Sequence, residues 1–147
     1  LIVNFLDILE NHKMLVENSG LLTVAALKHL DCKGKRVVSI LSGGNMDIIT
    51  LSSVVQHGLI ARGRVFTVAV QLPDRPGELV NVADIIAKEK GNVIRLEHNQ
   101  FVSTNRNAAV ELRITLEAFG QEHKNEILKA LRDKGYDAKE ETPTGMY

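Results

Sequence analysis

Residues 108 to 117 alternate without interruption. Ala108, Val110, Leu112, Ile114 and Leu116 fall on one side, and Glu111, Arg113, Thr115 and Glu117 on the other. A period of two over that length requires a β-strand with one buried and one wet face. Such a strand needs partner strands and a covering layer, and the chain around it supplies both. Phe66, Val68, Val70 and Leu72 alternate with Val65, Thr67, Ala69 and Gln71, a first strand. Pro73-Asp74-Arg75-Pro76-Gly77 reads as a turn, because proline fixes φ and glycine tolerates positive φ. Leu79, Val82, Ala83, Ile86 and Ala87 lie at helical spacing, and Gly91 after them suits a C-cap. A second strand runs from Asn92 to Phe101, and Ser103 to Asn107 is a polar hairpin loop. A helix from about Gln121 to Lys134 carries Ile127, Leu128 and Leu131 on one stripe and stops at Gly135. Tyr136 to Glu141 is a short charged strand suited to a sheet edge. The order β-α-β-β-α-β predicts an α+β, ferredoxin-like domain, with two helices on one face of a four-stranded antiparallel sheet.

The first sixty residues follow another grammar. Ile2, Phe5, Leu6 and Leu9 mark a helix to about His12, and Glu17-Asn18-Ser19-Gly20 breaks it with capping residues. A helix is expected over about Leu21 to Leu30, a buried strand over Arg36 to Leu41, and a tight turn at Ser42-Gly43-Gly44-Asn45. A third helix over about Met46 to His57 is expected to close at Gly58. Helix, helix, strand, turn, helix is an α/β style. The short Ala61-Arg62-Gly63-Arg64 run marks a boundary, giving domains at 1–62 and 63–142 and a tail at 143–147. The chain opens on Leu1 inside a helical pattern and reads as the continuation of a longer protein.

Composition excludes several function classes. Eighteen basic residues balance eighteen acidic ones and aromatics are 4%, so nothing attracts nucleic acid or anionic membrane in bulk. No apolar run reaches about 18 residues, and no basic leader precedes one, so neither a transmembrane span nor a signal peptide is expected. Cys32 stands alone, which suits a reducing, cytoplasmic setting. His12, His29, His57, His98 and His123 lack ligand spacing, so no metal site is expected.

Two turns could carry chemistry. Asp74-Arg75-Pro76-Gly77 joins a strand end to a helix start, where unpaired amides and the helix dipole favour a carboxylate. Asp74 is placed to accept from an ammonium group, so the turn suits an amino-acid zwitterion; a plain turn with a helix cap also satisfies the residues. Ser42-Gly43-Gly44-Asn45 lets backbone and a hydroxyl approach an anion or cofactor, and reads equally as a simple glycine turn; no Gly-Lys-Ser/Thr follows it.

Residues 65 to 141, with Asp74-Arg75-Pro76-Gly77-Glu78-Leu79 and Gly91-Asn92-Val93-Ile94, resemble an ACT domain, the regulatory module of many amino-acid enzymes. The resemblance implies an effector amino acid held between two copies of the chain by Asp74, Gly77, Leu79, Asn92, Val93 and Ile94. It also implies a homodimer paired through the sheets, with isoleucine, valine, threonine or serine as effector. Residues 1 to 62, with Val38-Ser39-Ile40-Leu41-Ser42-Gly43-Gly44-Asn45-Met46-Asp47, resemble the end of the catalytic domain of threonine ammonia-lyases and serine racemases, fold-type II pyridoxal-phosphate enzymes. That resemblance makes Ser42 the partner of the cofactor's pyridine nitrogen, with Gly43, Gly44 and Asn45 beside it. The family's Ser-x-Lys-x-Arg-Gly type motif is absent, so pyridoxal phosphate is expected in a full-length parent and not on this chain alone. The expectation is an amino-acid-sensing region of an enzyme that deaminates threonine and serine. A serine dehydratase or racemase, and a module used only for assembly, are the alternatives.

Overall fold

The computed structural model describes residues 1–99 and 110–141. It forms two compact units, Leu1–Ala61 and Arg62–Tyr147.

The first unit is helical. Helix α1 spans Ile2–His12, α2 spans Leu22–Ala26 between single 3-10 turns, and α3 spans Ile48–Ala61. Phe5, Ile8, Val16 and Leu21 form its small core, with Leu41, Met46, Leu51, Val54 and Val55 packed around them. Two expectations are corrected here. Arg36–Leu41 is no strand; it runs irregularly, with Val38 89% and Ile40 75% exposed. Its β-branched residues have the propensity, but a strand forms only where neighbours accept its hydrogen bonds. Gly58 does not end α3, which continues to Ala61. A Cβ at Gly58 would stand 2.5 Å from Leu6 Cδ1, so this glycine serves close approach between α1 and α3 rather than termination.

The second unit is the ferredoxin-like βαββαβ domain. Strand β1 (Val65–Leu72), helix α4 (Glu78–Lys88), strands β2 (Asn92–Asn99) and β3 (Val110–Glu117), helix α5 (Gln121–Asp133) and strand β4 (Asp137–Glu141) follow in order. The sheet order is β2-β3-β1-β4, and each neighbouring pair is antiparallel. Phe66, Val68, Val70 and Leu72 join Leu112, Ile114, Leu116 and Ala138 on one face, and Val82, Ile86, Ile127, Leu128 and Leu131 of the two helices close over them. The other face is mixed: Val65, Thr67 and Ala69 of β1 are buried there, the Thr67 and Thr115 hydroxyls are 3.0 Å apart, and Arg113 is bonded to Glu111. Lys124 is buried on α5 yet reaches Glu140 of β4 at 2.8 Å, which supplies the partner that a buried ammonium requires.

Both helices end in Schellman turns. On α5 the left-handed position is Gly135, with Gly135 N–H donating to Arg132 O and Tyr136 N–H to Leu131 O. On α4 the left-handed residue is Lys90 at φ 63°, not Gly91. Gly91 follows it and donates to Ile86 O at 2.9 Å. A Cβ there would lie 2.9 Å from Ile86 Cγ2, so close packing accounts for that glycine. The expected second-strand end at Phe101, the Ser103–Asn107 loop, the first residue of the alternation at Ala108 and the tail lie outside the described residues.

Candidate functional site

The turn after β1 is built by its backbone. Arg75 N–H donates to Pro73 O at 2.8 Å, and Gly77 at φ 94° swings the chain into α4. No atom lies within 4 Å of a Cβ built on Gly77, so positive φ alone calls for glycine there. Gly77 O accepts from Asn81 N–H, the first bond of the helix. No side chain caps α4, and among the described residues nothing accepts from the amides of Leu79 and Val80. These free amides, with the dipole of an eleven-residue helix behind them, favour an anion. The Glu78 carboxylate beside them is held by the Tyr136 hydroxyl at 2.8 Å. Burial, then that carboxylate, raises the Tyr136 pKa above its usual value.

Asp74, Gly77 and Leu79 share a cleft of about 320 Å³, bordered also by Leu72, His98 and Val110. Asp74 is exposed, with its carboxylate unpaired among the described residues. The other expected contacts are elsewhere. Asn92 lies opposite Glu117, which is paired in turn with Val65, whereas the turn leaves β1 after Leu72, opposite Val110. Asn92, Val93 and Ile94 therefore sit at the far end of the sheet, roughly 23 Å along an eight-residue strand. One copy of the chain does not bring the two groups together. Asn92 Nδ2 donates to Glu117 Oε2 at 3.2 Å, and a register shift between Val93 and Arg95 leaves Ile94 as a bulge.

His98 and Val110 are cleft residues that sequence reasoning passed over. A usable signal existed for His98: it is two positions beyond Leu96, on the same side of a period-two strand, at the end nearer the turn.

In the first unit, the Ser42–Asn45 loop rests against Glu17–Gly20. Glu17 N–H donates to Gly43 O at 3.1 Å, and a Cβ at Gly20 would meet the Ser42 carbonyl oxygen, so the loop lies tight on glycine. Ser42, Gly43, Gly44 and Asn45 are exposed, and Gly43 has φ 80°. The Ser42 hydroxyl is open, which fits a neutral partner for a ring nitrogen. Just after it, Asp47 caps α3, accepting from Thr50 N–H at 2.9 Å and from the Thr50 hydroxyl; those bonds lower its carboxyl pKa. Among the described residues no cluster of His, Cys, Asp and Glu could hold a metal, and no helix is long and apolar enough to cross a membrane.

No family model matches the chain. Among curated proteins it is similar to the L-threonine ammonia-lyase of Geobacter sulfurreducens, 39% identical over 132 residues, covering 88% of this chain and 33% of that protein. The L-threonine ammonia-lyase of Thermotoga maritima is 33% identical over 135 residues, 91% of this chain and 34% of that one. The biosynthetic L-threonine dehydratase IlvA of Pasteurella multocida is 32% identical over 137 residues, 89% of this chain and 25% of that one. The chain thus spans about a third or less of the length of these relatives. Among solved structures it resembles the regulatory subunit of aspartate kinase from Thermus flavus, with TM-score 0.43 and 18% identity over 54% of this chain and 52% of that one. It also resembles prephenate dehydratase from Streptococcus mutans, with TM-score 0.44 and 21% identity over 52% of this chain and 40% of that one.

Proposed function

The chain belongs to the threonine ammonia-lyases as a segment spanning about a third of their length, and from that premise we propose that it is their C-terminal, amino-acid-sensing region. The parent enzyme deaminates threonine, and serine as second substrate, in the cytoplasm; threonine gives 2-oxobutanoate and ammonia. Its regulatory domain takes a small amino acid, one of isoleucine, valine, threonine or serine, and biases the catalytic part by binding its states unequally.

One observation carries this reading. Strands β1 and β2 each run antiparallel to β3, so they are parallel to one another, and the β1 turn lies beside the finish of β2. Strand β2 is a sheet edge, with Val93 41%, Ile94 51% and Leu96 42% exposed. A two-fold axis through that edge pairs β2 with its copy in antiparallel fashion. The start of one β2 then meets the finish of the other, and Asn92, Val93 and Ile94 of the copy come to Asp74, Gly77 and Leu79. The amides of Leu79 and Val80 receive the carboxylate, and Asp74 receives the ammonium.

The first unit is read as the end of the parent's catalytic domain. Its exposed apolar residues, among them Val38 and Ile40 of the irregular Arg36–Leu41 segment, support a covering body supplied by the rest of the parent. Pyridoxal phosphate, when bound to the parent, supplies the electron sink for elimination. Ser42 would hydrogen-bond its ring nitrogen, with Gly43, Gly44 and Asn45 forming the adjoining loop. The chain by itself is expected to be inactive and to give no lysine-dependent absorbance band with the cofactor.

Calorimetric titration with the four amino acids, beside sedimentation of the same sample, tests the proposal. Binding of at least one by a dimer is expected, weakened about tenfold or more in Asp74→Asn, which loses the charge facing the ammonium. The exposed β2 residues equally favour a second reading, an assembly module alone. A dimer giving heat with none of the four decides for that reading.

A further inference from the structure

Every α-amino acid offers the same ammonium and carboxylate, so Asp74 and the helix amides give affinity without choice among effectors. Choice has to come from whatever faces the side chain. In the cleft Leu72, Leu79 and Val110 supply hydrocarbon, and the polar side chains beside them are Asp74, Arg75, Glu78 and His98. His98 is set among them. It lies directly opposite Leu112, which is in the core beneath the helices, so the imidazole projects from the helix side of the sheet, as Leu112 does. Its ring is exposed to the cleft. Of the acidic groups on the same wall, Glu78 is engaged by Tyr136 and Asp74 faces the ammonium.

We propose that His98 is the specificity-determining residue of the effector cleft, hydrogen-bonding a side-chain hydroxyl so that threonine and serine bind in preference to valine and isoleucine. The inference rests on the effector-binding reading above. The imidazole has one N–H and one lone pair in its neutral form, so it meets a hydroxyl in either sense. A methyl group in the same place leaves the ring without a partner and displaces its water. The consequence is a sensor for the substrate of its own parent enzyme rather than for a purely aliphatic amino acid.

Threonine and valine have the same shape and differ by hydroxyl for methyl, so their affinity ratio isolates this contact. Titration of the full chain is expected to give threonine about five- to tenfold tighter binding than valine, the worth of one net hydrogen bond. His98→Leu is expected to bring the ratio to one or invert it, while valine binding is kept or improved. His98→Gln, which restores a donor and an acceptor, is expected to recover part of the preference. Since His98 is exposed, both variants should keep the wild-type sedimentation profile, which verifies folding. Equal binding of threonine and valine by the wild type, or an unchanged ratio in His98→Leu, overturns the role of His98 and leaves the sensing function standing. No binding of any of the four amino acids overturns both.

Discussion

Tyr136 and Glu78 lie 58 positions apart and share one hydrogen bond, which ties the chain leaving α5 to the first turn of α4. Tyr136→Phe is expected to lower unfolding free energy by about 1 kcal/mol in urea titration, the net worth of such a bond. Burial and the neighbouring carboxylate raise the phenol's folded pKa above its unfolded value. The linked stability is therefore fully present below about pH 10 and is lost as pH climbs through the folded value. Alkaline unfolding of the wild type should show this fall, and the phenylalanine variant should lack it. Asp47 has the opposite sign. Its carboxyl pKa is lowered by Thr50, so its contribution to α3 is present above its ordinary pKa, near 4, and is lost as pH falls through the lower folded value. Asp47→Asn keeps a good cap but removes the charge. It should retain helicity by circular dichroism at pH 7 and flatten the acid limb of the stability profile.

At the scale of elements, the two Schellman turns differ by one residue type. Gly135 occupies the left-handed position after α5, whereas Lys90, with a Cβ, occupies it after α4. A left-handed L-residue costs roughly 1–2 kcal/mol, partly offset by the extra freedom glycine has when unfolded. Lys90→Gly is expected to raise the urea midpoint by the equivalent of up to about 1 kcal/mol. Gly91→Ala should lower it, because its Cβ meets Ile86 Cγ2 at 2.9 Å. The period of two in β3 and the apolar stripes of α4 and α5 were legible in the sequence, because burial on one face writes the pattern directly; β1 was legible as a strand although Val65 to Val70 are buried on both faces. Gly91 and Gly58 were misread because the sequence does not separate a glycine required by φ from one required by a close neighbour. Arg36–Leu41 was misread because its residues satisfy strand propensity while the partner strand is a non-local fact. At the candidate site, the Asp74–Gly77 turn was readable from residue types alone. His98 was readable only in part: its side of the strand follows from Leu96, but its position in the sheet comes from pairing with Leu112.

Over the whole molecule, the two units have unequal interiors. The sheet and two helices of 62–147 enclose a continuous core from Phe66 to Ala138, whereas Phe5, Ile8, Val16 and Leu21 make a small cluster in 1–61. A domain's net stability scales with such burial, so a chain of residues 62–147 is expected to unfold cooperatively in urea. Residues 1–61 in isolation should show only a shallow, non-cooperative change by circular dichroism. The parallel run of β1 and β2 has a further consequence at this scale. The effector site proposed above has its halves at opposite ends of one sheet, so it would be complete only where two chains have met. On that proposal its sensitivity is expected to depend on protein abundance as well as on metabolite level: dilution should blunt the response, and the metabolite should in turn hold the pair together.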